Sequence, residues 1–330
     1  MSKKPYWEYA GTRYTSKFDA LVSCKRDFAG ISFHQFGPEF YSYDWSQEPI
    51  ESLNELILQR CLQLRDSYSH LKLWYSGGAD STTVLNAFLK HNIYIDEIIM
   101  ERWSYRNDQN NFGNTEINDF AIPFIKKIHN LIPKTKINIL DYNYKHYENL
   151  LKKDNWFYKL NNFELRHMHA PNIQGKNFCN IFCNYEPALK FIKGRWYDIQ
   201  WDTSNYQDVV KYRNVEQFFT TTSLPKLHAK QCYILKRYLE KNPLSDPKKY
   251  KEVVTKVLRD KAVAPRSPYF KIDKEPYQGF KLREKDKFFL KDADPKFIDY
   301  YKNIITTKIN GMPFWRAWKG VQIHKIELGT

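Results

Sequence analysis

Apolar positions along the chain change their period several times, and the changes lay out an alternation of strands and helices. Leu71 to Tyr75 (LKLWY) is an apolar run of strand length. Ahead of it, Ile50, Leu53, Ile57, Cys61 and Leu64 recur at intervals of three and four, which predicts a helix from Gln47 with Pro49 in its first turn and Cys61 as a buried thiol. After it, Val84, Leu85, Phe88 and Leu89 predict a second helix ending near His91 and Asn92. Ile95 to Trp103 is nearly continuous apolar sequence, as expected of a parallel strand covered on both faces. A helix over 114–132, bent or broken at Pro123, and a third strand at Lys136 to Leu140 complete a doubly wound α/β pattern. Sheets of this kind take ligands at the carboxyl ends of their strands.

The flanking sequence follows other rhythms. Gly30 to Phe36 and Phe40 to Trp45 alternate over short stretches and predict edge strands in an extension of residues 1–46. Pro187 to Asp202 alternates on both sides of Lys193 and Gly194, a hairpin inserted into the central unit of residues 47–240. Tyr144 to Leu160 is a polar, aromatic helix candidate, and Pro225 starts another helix with Leu227, Ile234, Leu235 and Leu239 as its buried stripe. Residues 241–330 read as a basic, mostly helical region, with helices at Pro247–Arg259 and Pro295–Ile309 and an aromatic end, Met312 to Trp318, that docks on the body.

Candidate chemistry concentrates where the first strand gives way to a helix. Ser76, Gly77, Gly78, Ala79, Asp80, Ser81 and Thr82 combine two glycines, which let backbone approach a ligand closely, with hydroxyl donors and a helix start whose free N–H groups favour an anion. Asp80 would repel phosphate unless a divalent cation lies between, which makes Mg²⁺ the natural third party. The spelling S-G-G-x-D-S resembles the PP-loop of the ATP pyrophosphatases of the HUP superfamily, and with its flanks is similar to phage-encoded, asparagine-synthetase-like members of the N-type branch. The resemblance spans residues 10–240, most strongly at the loop. It implies a Rossmann-like parallel sheet with helices on both faces, and cleavage of ATP between its α and β phosphates. An acceptor oxygen would be adenylated and pyrophosphate released, before a nucleophile displaces AMP. It also sets Met100, Glu101 and Arg102, at the end of the second strand, near the adenine or a phosphate, and gives Lys226 and Lys230 to the phosphates and acceptor. Ala79 departs from the Lys that sulfonucleotide reductases favour here, and the last cysteine, Cys232, is too early for their C-terminal nucleophile.

Composition narrows the partners. The net charge is +15, and about two-thirds of it falls after Lys241, which offers a basic face for nucleic acid. The aromatic residues, 17% of the chain, are spread along it and favour core packing over a stacking platform. Five cysteines in no regular rhythm point to reduced thiols in a cytoplasmic protein, and neither a signal-peptide apolar region nor a membrane-length apolar run is present. Position 2 is Ser2, and the stretch ahead of the loop is too short for a glutaminase domain, so free ammonia, an amine or another subunit would supply nitrogen.

Two further groups carry alternatives. His167, His169, Cys179 and Cys183 read either as a metal set or, for the cysteines, as core residues or sulfur carriers of a tRNA thiolase. Lys226, His228, Lys230 and Gln231 crowd the start of the helix from Pro225, where cations are unfavourable by about 0.3–1 kcal/mol each, so an anion must compensate. Three functions stay open at this point. They are an amide-forming ligase, an enzyme modifying a base in tRNA or DNA, and a nucleotide-binding interaction protein without catalysis.

Overall fold

The computed structural model describes residues 6–14, 30–104, 116–143, 177–183, 187–201, 215–243 and 322–329, with a few single positions between them. Its centre is a five-stranded parallel sheet. The N-terminal strands β1 (Tyr6–Tyr9), β2 (Thr12–Tyr14) and β3 (Ile31–His34) form a separate antiparallel sheet. Ala10 and Gly11, both at positive φ, make the tight turn between the first two. Strand β3 alternates buried and half-buried positions as expected. Phe40 to Trp45 is not a strand: Pro38–Tyr41 is a single helical turn with Pro38 in its first position, and the indole of Trp45 donates to the Phe40 carbonyl at 3.1 Å. Aromatic alternation there records a folded turn whose rings pack inward, not a pleat.

Helix α1 (Leu53–Ser67) starts later than its apolar rhythm implies. A capping box decides this: Ser52 Oγ accepts from the Glu55 N–H at 3.2 Å, and Glu55 Oε2 accepts from the Ser52 N–H at 2.7 Å. Pro49 and Ile50 are therefore outside the helix, with Ile50 exposed, while Leu53, Ile57, Cys61 and Leu64 are buried. Strand β4 (His70–Trp74), helix α2 (Ala79–Lys90) and strand β5 (Glu97–Ser104) follow as the pattern predicts. The expected break at Pro123 is real: a π-helical turn, Glu116–Ala121, passes into helix α3 (Ile122–Ile128), with Pro123 where a missing N–H costs nothing. Strand β6 (Lys136–Asn143) comes next, then β7 (Phe178–Phe182) and β10 (Val215–Gln217).

Taken in chain order, the five parallel strands lie third, second, first, fourth and fifth across the sheet, β6-β5-β4-β7-β10. This is a Rossmann-like α/β arrangement, and its order reverses between β4 and β7. Helices α1, α2 and α3 pack on one face, in a core with Leu71, Leu73, Ile98, Met100, Cys179 and Ile181. The other face is buried too, around Trp74, Ile99, Phe182 and Val215, with a charged pair inside it: Lys72 Nζ lies 3.4 Å from Glu97 Oε2.

The predicted hairpin is present as β8 (Leu189–Ile192) and β9 (Arg195–Trp201), joined through Lys193 and Gly194 at positive φ. The expectation of a mostly helical C-terminal region needs correction at its end, because β11 (Gln322–Glu327) adds to β9 as a third antiparallel strand. Helix α4 (Pro225–Lys241) packs on this small sheet through Ala229, Cys232, Leu235 and Leu239. The helices expected at Tyr144–Leu160 and Pro295–Ile309, most of the one at Pro247–Arg259, and the aromatic end at Met312–Trp318 lie outside the described residues.

Candidate functional site

The strand order reverses between β4 and β7, the place where open α/β sheets take ligands, and the Ser76–Thr82 loop leaves the carboxyl end of β4 there. The loop is held by its own hydroxyls. Ser76 Oγ accepts from the Gly78 N–H at 3.2 Å, Ser81 Oγ donates to the Gly78 carbonyl at 3.1 Å and accepts from the Ser76 N–H at 3.3 Å, and the two hydroxyls lie 3.2 Å apart. Thr82 Oγ1 sits 3.3 Å from the buried Tyr75 hydroxyl, whose pKa is pushed up by burial. Ser81 and Thr82 are buried, so they build the cradle from inside. Gly78 is the cap residue of α2 and carries no side chain to close the first-turn N–H groups, while Asp80 stands in that turn, half-buried.

Gly77 shows why the motif needs glycine. Its φ is +83°, and a Cβ would stand 2.9 Å from the Ala121 nitrogen and 3.1 Å from the Glu116 carbonyl oxygen. The π-helical turn thus presses on the loop, and it brings a residue that motif reading did not select. Glu116 Oε1 comes to 2.9 Å of the position a Cβ on Gly78 would take. With Asp80 in the first turn, this puts two carboxylates near the start of α2, a donor set that suits a divalent cation. Its only trace in the sequence is an acid opening the segment after the second strand.

The other expected site residues are engaged within the protein. Met100 is in the core of the helix-covered face, packed among Ile98, Ile117 and Ile125. Arg102 binds Asp141 of the neighbouring strand through two bonds, 2.6 and 2.8 Å, and this bonded carboxylate raises its pKa; Glu101, between them, is half-buried. Lys226 and Lys230 have found their anions within the protein. Lys226 Nζ lies 2.6 Å from Glu51 Oε1; Lys230 Nζ lies 2.7 Å from Glu48 Oε1 and donates to the Pro49 carbonyl at 2.8 Å. The Lys226 bond holds the Glu51 carboxyl below the ordinary range. Burial would raise Glu48, but Lys230 and Arg237 overcome that and hold it low. The residues just ahead of α1 thus neutralise the start of α4.

Cys179 and Cys183 are buried, one on β7 and one just past it; burial also raises the Cys179 thiol pKa far above its usual value. They are core thiols, while His167 and His169 lie outside the described residues. The five cysteines are buried and form no disulfide, and no described helix is long and apolar enough to cross a membrane.

No protein-family model and no curated protein matches the sequence. Among solved structures, that of NMN synthetase from Francisella tularensis is similar with a TM-score of 0.28 and 16% identity, over 41% of this chain and 55% of that one. The matched region is thus about half the length of that structure.

Proposed function

We propose that the chain binds Mg·ATP on the Ser76–Thr82 loop, transfers AMP to an acceptor oxygen with release of pyrophosphate, and so prepares the acceptor for amide formation with an amine or ammonia. The supporting observation is the position of the S-G-G-x-D-S loop, at the carboxyl end of the first strand where the strand order reverses. In this reading the loop N–H groups and the start of α2 hold the phosphates, and their fixed dipoles stabilise charge developing on the leaving pyrophosphate. Asp80 and Glu116 would hold the divalent cation, which supplies further neutralisation of that charge. Arg102, at the end of β5, reaches a phosphate or an acceptor carboxylate only by giving up Asp141. Lys226 and Lys230 likewise contribute only if they exchange Glu51 and Glu48 for substrate oxygens. The chain's own groups need form no covalent intermediate, so catalysis is mainly positioning.

The charge distribution supports a second reading, in which the acceptor is a base in tRNA or DNA held by the basic last quarter. Thiolation is the weaker form of it, since sulfur transfer needs an accessible thiolate and Cys179 and Cys183 are buried. Purified protein with α-labelled ATP and Mg²⁺ is expected to yield AMP and pyrophosphate, and Asp80→Ala to lower the rate at least about a hundredfold, in line with loss of a charge-positioning group. Formation of ADP and phosphate refutes the adenylation. Nucleotide binding without turnover, across candidate acceptors, favours a non-catalytic binding protein. Nucleic-acid affinity that falls steeply with salt favours the second acceptor class.

A further inference from the structure

Away from the loop, Asp198, His228 and Cys232 form a buried group whose ligating atoms all lie within 4.8 Å of one another. His228 and Cys232 are four residues apart on α4 and share one face; Asp198 comes from β9 of the hairpin sheet. All three side chains are fully buried, and the His228 ring lies near those of Phe40 and Trp45. His228 Nε2 is 2.8 Å from Asp198 Oδ2, His228 Nδ1 is 2.9 Å from Thr220 Oγ1, and Asp198 Oδ1 accepts from the Ala188 N–H at 2.9 Å.

We propose that Asp198, His228 and Cys232 are the protein ligands of one divalent transition ion, Zn²⁺ by the donor set, which ties the hairpin sheet to α4. Carboxylate, imidazole and thiolate are the donors that zinc takes, and a tetrahedral ion needs them about 3.3–3.8 Å apart. The hydrogen-bonded pair at 2.8 Å would open by about 0.5 Å to reach that spacing. Charge balance points the same way. A dication with one carboxylate and one thiolate is neutral, which suits a buried aromatic surround. The outer contacts are in place: Thr220 holds the second ring nitrogen, and the Ala188 N–H holds the second carboxylate oxygen, so both ligands are oriented from behind. On binding, the Cys232 proton leaves to solvent and the imidazole proton sits on Nδ1, where Thr220 Oγ1 accepts it. It uses none of the residues His167, His169, Cys179 and Cys183 that spacing alone brings to mind.

The test is metal content and cobalt substitution on the full-length protein. Protein made in zinc-supplemented medium and purified without chelator is expected to hold about one zinc per chain. Replacement by Co²⁺ should give a near-ultraviolet thiolate-to-cobalt charge-transfer band. Cys232→Ala should remove that band and lower zinc occupancy at least tenfold, while Cys61→Ala, a change in the sheet core, should leave both intact. Wild-type protein that holds no zinc, and gains no thermal stability when zinc is added, overturns the proposal, as does a cobalt band that survives Cys232→Ala. Should Cys232→Ala not fold, the wild-type stoichiometry and the presence or absence of the cobalt band still decide.

Discussion

Two helix starts stand at the carboxyl ends of strands of the same sheet, and they treat charge in opposite ways. The start of α2 is built from glycines and hydroxyls, leaves the N–H groups of its first turn uncapped by Gly78, and gathers carboxylates at its mouth. The start of α4 carries two lysines, with Glu48 and Glu51 already paired to them. In the proposed function the first takes a phosphate that brings its own cation. The other has been neutralised by a neighbouring segment of the chain. Basic residues at a helix N-terminus therefore do not by themselves mark an anion site; the test is whether the protein already supplies the anion.

Four substitutions put this contrast at risk, and the largest effect is expected at the start of α2. Gly77→Ala forces a Cβ onto backbone at positive φ and should cost about 1–3 kcal/mol in urea unfolding, because neither the strain nor the clash with Ala121 can relax cheaply. Gly194→Ala has the same φ but meets open space, so it should cost less; equal losses would show that packing by the π-helical turn does not shape the loop. At the neutralised end, Glu48→Gln should cost about 1 kcal/mol at neutral pH, since both Lys230 and Arg237 lose a partner that is only partly exposed. Glu48 has a lowered pKa in the folded state, so its contribution is complete above the unfolded value, about 4.3, and is lost as pH falls through the lower folded value. The wild-type advantage in melting temperature should shrink from pH 5 to pH 3, and an advantage that grows with acid would rule out this role. The smallest change is expected from Lys226→Met. Its pair with Glu51 is substantially exposed, so stability should move by about 0.5 kcal/mol or less and ATP turnover by less than twofold. A tenfold rise in the KM for ATP would instead mean that Lys226 serves a phosphate, and the two helix starts would be partners in one site.

How much was legible follows from how local each feature is. The helix after the loop, the strands at Glu97 and Lys136, the break at Pro123 and the Lys193-Gly194 turn depend on residues close together in the chain, where periodicity and turn chemistry act. The start of α1 was missed by six residues because a capping box outweighed the apolar rhythm. Met100 illustrates another limit: a strand end is visible in sequence, but the side of the sheet an isolated methionine faces depends on what packs there. Glu116 was missed because its closeness to Gly78 comes from the π-helical turn, which no spacing rule announces.

By itself, the sequence determined the α/β alternation, the glycine-rich turn and the hydroxyl and acid content of the loop, since backbone strain and hydrophobic period are written into neighbouring residues. Only the tertiary structure decided that the loop lies at the reversal of strand order, that Glu116 reaches it, that Glu48 and Glu51 neutralise α4, and that Asp198 meets His228 and Cys232. Each of these is a contact between segments far apart in the chain, held in place by packing of the core rather than by any local preference.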